Sequence, residues 1–107
     1  DFIIELNKPE VFSSPLYQIY GLSHYSQSRL INLFKQYIGK TPADYIIELR
    51  INYAKILLSK TNYSTLFISN EVGYSSYSHF ITIFKQKTNF TPNEYRKLYY
   101  YGSNLEN

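Results

Sequence analysis

The chain has 107 residues, 44% of them hydrophobic, which is enough for one ordinary domain with a core and too little for a second. Lys and Arg number 11 against 8 Asp and Glu, giving a formal charge of +3 and a pI near 9.0, a mild bias towards a polyanionic partner. The absence of cysteine excludes disulfides and thiolate metal sites, two distant histidines cannot close a zinc site, and no apolar run is long enough to span a bilayer.

Apolar spacing and the punctuation between segments predict seven helices. The first, near Asp1 to Asn7, gathers Phe2, Ile3 and Leu6 on one face and stops before Pro9, and a loop leads on to Ser14. Ser14 and Pro15 form a cap-plus-proline start for the second, which carries Leu16 and Ile19 inward and ends near Leu22. After a turn at Ser23-His24-Tyr25, Ser26 caps the third helix, which buries Leu30, Leu33, Phe34 and Tyr37 and ends at Gly39. The fourth, from Pro42 to about Lys60, lines up Tyr45, Ile46, Leu49, Tyr53 and Leu57 and is long enough to link two lobes. Ser64 caps the fifth, with Leu66, Ile68 and Val72 inward and Gly73 ending it. The sixth starts near Tyr77 and buries Phe80, Ile83 and Phe84, with Asn89 standing where Gly39 stood. The seventh runs from Pro92 to about Tyr100, and Gly102 to Asn107 reads as a tail.

These elements are organised by an internal repeat. A shift of fifty positions superimposes Ser26 on Ser76, Ser28 on Ser78, Leu30 on Phe80, Ile31 on Ile81 and Leu33 on Ile83. Phe34-Lys35-Gln36 then falls on Phe84-Lys85-Gln86, and Thr41, Pro42 and Tyr45 on Thr91, Pro92 and Tyr95. Each copy ends in one helix-start signal: a capping threonine, proline at the first helical position, and an acid (Asp44 or Glu94) facing the positive helix end.

A short helix, a tight turn and a second helix with polar residues around an apolar stripe make a helix-turn-helix, and the pattern occurs twice. The expected fold is all-α, a single DNA-binding domain with a first lobe at 1–40, a linker helix at 41–60, a second lobe at 61–101 and a tail at 102–107. In such units the second helix lies in the major groove, and side chains opposite its core stripe reach base edges. The candidates are Gln27, Ser28, Ile31 and Asn32 in the third helix, and Tyr77, Ser78, Ile81 and Thr82 in the sixth. Lys35 and Lys85 end the two helices and, with Arg29, Lys40 and Lys87, are candidates for phosphate contact. Arg50 reads as structural, paired with Glu48 or another nearby carboxylate.

Between residues 14 and 98 the chain resembles the DNA-binding domain of AraC-type transcription regulators. The resemblance rests on Ser26 to Lys35 followed by Gly39, on Arg50 and Ala54-Lys55-x-Leu57-Leu58, on Gly73-Tyr74-x-Ser76-x-x-x-Phe80-x-x-x-Phe84-Lys85, and on Thr91-Pro92-x-Glu94-Tyr95-Arg96. It implies a seven-helix domain with two recognition helices in successive major-groove segments, activating or repressing bacterial transcription without enzymatic activity. The chain departs from the family where small alanines are usual and Tyr20 and Ser69 stand. It departs again at Asn32 and Thr82, where arginine, the usual partner of guanine, is common. Asn pairs with adenine, and Ile31, Ile81 and the Thr82 methyl suit thymine methyls, so an A+T-rich site is expected.

The 13 Tyr, 7 Phe and 8 Lys against 3 Arg suit A+T-rich codons and a low-G+C bacterium. A chain without methionine reads as a piece of a longer protein whose N-terminal sensing or dimerising domain precedes Asp1. Expected partners are double-stranded DNA, RNA polymerase and a second copy joined through that N-terminal domain; the expected place is the cytoplasm, at the nucleoid, with no membrane attachment. No cofactor, metal or catalytic residue is expected, because there is no Gly-rich phosphate loop and no acid-base or nucleophile constellation. The competing reading is a helical protein-interaction module with degenerate helix-turn-helix units.

Overall fold

The computed structural model describes residues 1–101, so the predicted tail at 102–107 lies outside the described residues. The described residues form eight helices and no strand: α1 (Phe2–Leu6), α2 (Pro9–Phe12), α3 (Leu16–Gly21), α4 (Gln27–Tyr37), α5 (Pro42–Lys60), α6 (Thr65–Glu71), α7 (Tyr77–Thr88) and α8 (Pro92–Tyr99). Two compact units result, Asp1–Arg50 and a second beginning at Ile51, with the division inside α5. No helix is long and apolar enough to cross a membrane among the described residues.

The eighth helix is α2, in the stretch expected to be a loop. It is a single turn started by proline at its first position, too short to show apolar periodicity. Its presence also displaces the predicted cap of α3. The Ser14 hydroxyl turns back to donate to the Glu10 carbonyl (2.8 Å), while Pro15 occupies the cap position and offers no side-chain bond.

In the first unit the core is Leu6, Phe12, Ile19, Leu30, Phe34 and Ile46. Phe34 makes edge contacts with Phe2 and Tyr45, and the Asn7 amide donates to the Tyr45 hydroxyl. Arg50 is buried and structural, as expected, and it holds backbone: Nε donates to the Phe12 carbonyl and Nη2 to the Ser14 carbonyl, both at 2.7 Å. A guanidinium satisfies two carbonyls with its rigid fork, and a cation suits the negative end of α2. Glu48 pairs with Lys40.

In the second unit the core is Ile51, Ala54, Leu58, Ile68, Val72, Tyr74, Phe80 and Phe84. Rings touch in series from His79 through Tyr74, Phe80, Phe84 and Tyr95 to Tyr99. The middle of that series, Tyr74, Phe80 and Phe84, is buried, and its two ends, His79 and Tyr99, are exposed. Arg96 donates to the Leu58 and Thr61 carbonyls, each at 3.1 Å.

Three apolar residues expected inside are exposed: Leu16, Tyr37 (76%) and Leu66 (54%). The stripe on α5 is also turned by one position. Ile46, Arg50, Ala54 and Leu58 are the buried series, and Tyr45, Leu49, Tyr53 and Leu57 flank it half-buried. Apolar counting passes over this series because it contains an arginine and an alanine.

Candidate nucleic-acid interface

Each unit builds its candidate reading helix in the same way. Ser26 accepts a bond from the Arg29 amide and Ser76 from the His79 amide, both at 3.2 Å, so α4 and α7 begin with the predicted caps. The far ends are set by left-handed residues, Gly39 at φ +87° and Asn89 at φ +68°. Beyond them Thr41 accepts from the Asp44 amide (3.1 Å), and Thr91 and Glu94 form a reciprocal capping box. The backbone bond from Thr91 holds the Glu94 carboxyl below the usual carboxylate range, and the bond with the threonine side chain adds to the shift.

The turns leading into α4 and α7 are built differently. In the first unit His24 takes a positive φ of 63°, and the Ser23 hydroxyl donates to the Tyr20 carbonyl while accepting from the Tyr25 amide. In the second, Gly73 supplies the positive φ of 114° and the Tyr74 amide closes on the Ser69 carbonyl (3.0 Å).

From residue 30 to residue 42 the pattern of buried, half-buried and exposed positions is the same as from 80 to 92. At about 100° per residue, Ser28, Asn32 and Lys35 stand opposite buried Leu30 and Phe34, as Ser78, Thr82 and Lys85 stand opposite Phe80 and Phe84. All six polar residues are exposed. Gln36 and Gln86 share these exposed faces and were missed as candidates, although the fifty-residue repeat carries them.

The remaining predicted base-readers lie on the flanks. Gln27 is exposed, Ile31 and Ile81 are half-buried, and Tyr77 is half-buried with its hydroxyl 2.6 Å from that of Thr65. The Thr82 hydroxyl donates to the Ser78 carbonyl (3.0 Å), so its hydrogen is committed to the helix. Arg29, Lys35, Lys85 and Lys87 are exposed and belong to neither ion pair found among the described residues. Lys40 differs, its ammonium held by Glu48.

Two exposed polar faces, each on the second helix of a capped helix-turn-helix, define a double helix-turn-helix protein of the DNA-binding class. A family model for the helix-turn-helix domain matches residues 22–98. An AraC-type transcriptional regulator from Chromobacterium violaceum is 39% identical with a TM-score of 0.66, over 75% of this chain and 71% of that one. The C-terminal domain of the response regulator yesN from Fusobacterium nucleatum is 30% identical with a TM-score of 0.76, over 81% and 87%. A curated HTH-type transcriptional regulator of Haemophilus influenzae is 36% identical over 80 residues, 75% of this chain. The chain belongs to the AraC-type helix-turn-helix family of DNA-binding domains, whose members here are transcription regulators and not enzymes. It spans between about a quarter and two fifths of the length of the curated relatives it matches.

Proposed function

We propose that this chain is the sequence-reading part of a bacterial transcription regulator that uses two recognition helices. In this reading α4 and α7 enter adjacent major-groove segments of double-stranded DNA. Ser28 and Asn32 read bases from the first, Ser78 and Thr82 from the second, with Gln27, Ile31 and Ile81 at their edges and Tyr77, its hydroxyl turned to Thr65, opening the second helix without a base contact of its own. The observation that carries the proposal is the matched polar face on the two helices, repeated at fifty positions with the same burial pattern.

The preferred site is A+T-rich. Asn32 offers an amide of the kind that pairs with adenine, and Thr82, its hydroxyl hydrogen turned inward, offers a methyl to thymine. Lys35, Lys85, Arg29 and Lys87 contact phosphates, and Lys40 joins them when Glu48 releases it. In the same reading the whole protein works in the cytoplasm at the nucleoid, engages RNA polymerase in activating or repressing transcription, and pairs with a second copy of itself.

Selection from random duplexes at two salt concentrations tests the reading. Four phosphate contacts give a log-log salt slope of about −3.6, or about 150-fold weaker binding at 200 than at 50 mM salt. An A+T-rich bipartite motif is the expected product, and strong guanine positions in both halves would refute the base assignments. No enrichment and no salt dependence would leave the protein-docking reading, which exposed Tyr63, Leu66 and Phe67 favour.

A further inference from the structure

The residue that opens α7 was expected to face the groove, yet its polar end is spent inside the protein. The Tyr77 and Thr65 hydroxyls lie 2.6 Å apart, at the short end of the range for an O–H···O bond. Thr65 is the first residue of α6 and Tyr77 the first of α7, so the contact ties together the N-terminal ends of the unit's two helices. The covalent turn at 72–76 already joins the C-terminal end of α6 to the start of α7. Core packing of Ile68, Val72, Phe80 and Phe84 sets the crossing of the two helices within a range, and a second fastening narrows it.

The equivalent positions of the first unit are Pro15 and Gln27, which cannot form this pair: proline has no side-chain donor or acceptor. We infer that the Tyr77–Thr65 hydroxyl pair is a positioning device that fixes the pose of α7 for base reading in the second unit alone. The inference rests on the reading of α7 as a recognition helix. Tyr77 is in this account a positioning residue for Ser78 and Thr82, which follow it by one and by five residues. A small rotation of α7 would move both side chains off the base edges while leaving Lys85 and Lys87, on long flexible stems, within reach of phosphate. Base discrimination should therefore be sensitive to the pair, and non-specific affinity should not.

The test uses the duplex selected by the wild-type domain and single-base variants of it. Bases under each unit are assigned from the positions relaxed by Asn32→Ala and Thr82→Ala. Tyr77→Phe keeps the ring and removes the hydroxyl, and Thr65→Val keeps the shape and leaves the Ser64 cap in place. Each is expected to reduce discrimination at second-unit bases about three- to ten-fold, the range for one lost hydrogen bond. The double variant should lose no more than either single one, discrimination at first-unit bases and the salt slope should stay at wild-type values, and Thr65→Ser, which keeps the hydroxyl, should retain wild-type discrimination. Loss with Tyr77→Phe but not with Thr65→Val would mean that Tyr77 touches DNA itself and would overturn the inference. Equal loss under both units, or none under either, would also overturn it. A wild-type domain without selective affinity would overturn this inference and the reading beneath it together.

Discussion

Replacing Gly39 by alanine isolates one term of the fold. Gly39 follows α4 at φ +87°, its amide bonds the Phe34 carbonyl (3.0 Å), and a Cβ built there meets nothing within 4 Å. Steric collision is thus absent and the cost is conformational. A left-handed non-glycine residue costs roughly 1–2 kcal/mol, and alanine returns about 0.4–1 kcal/mol by restricting the unfolded chain. The expected net destabilisation is about 1 kcal/mol. Urea unfolding followed by circular dichroism reads it directly: with a slope of about 1 kcal/mol per molar for so small a unit, the midpoint falls by about 1 M. Asn89 fills the same position in the second unit at φ +68°, so Asn89→Gly should be neutral or slightly stabilising. A Gly39→Ala variant as stable as wild type, or one losing more than about 3 kcal/mol, would refute the assignment of the cost to φ alone.

Three further outcomes are expected. Ser69 is fully buried in α6 with its hydroxyl oxygen unbonded, so Ser69→Ala should stabilise the domain by about 1 kcal/mol, read as a rise in thermal midpoint; a fall would show that the hydroxyl has a partner. The Glu94 carboxyl titrates below its ordinary value in the folded chain, so its contribution is present above that value and lost as pH falls through the lower folded one. The unfolding midpoint should therefore decline below about pH 4.5, and Glu94→Gln should flatten that limb. Glu48→Gln frees the Lys40 ammonium, and the salt slope of DNA binding should steepen by about 0.9 if that ammonium then takes a phosphate; an unchanged slope would remove Lys40 from the interface.

What could be read from the sequence was what is decided locally. Caps at Ser26, Ser64 and Thr91, prolines at Pro42 and Pro92, and left-handed ends at Gly39 and Asn89 each depend on a few adjacent residues, and each stands where the spacing puts it. The exposed faces of α4 and α7 follow from helical phase once Leu30, Phe34, Phe80 and Phe84 are inside. Arg50 was illegible in its partners, because the groups it holds are backbone carbonyls 38 and 36 residues away, and a carbonyl leaves no mark in a sequence. The partner of the Tyr77 hydroxyl is illegible for a related reason. The tyrosine's side of the helix was read correctly as off the core stripe, but whether an aromatic hydroxyl there faces solvent or Thr65 depends on how α6 crosses α7.

The two units separate what the backbone dictates from what packing leaves open. Positions governed by φ or by a helix start recur at fifty residues with the same chemistry: Gly39 with Asn89, Thr41 with Thr91, Pro42 with Pro92. Fasteners do not recur. Arg50 lies eight residues beyond Pro42 and Arg96 four beyond Pro92, two helical turns against one, yet each arginine reaches back to carbonyls at the end of the helix that precedes its helix-turn-helix. Those carbonyls are left over by the end of α2 in one unit and of α5 in the other, and both must be satisfied whichever helix supplies the donor. The demand is fixed by the helix ends, and its source is free to shift by a turn. That freedom explains how copies with different fasteners and different turn residues can present one polar face twice.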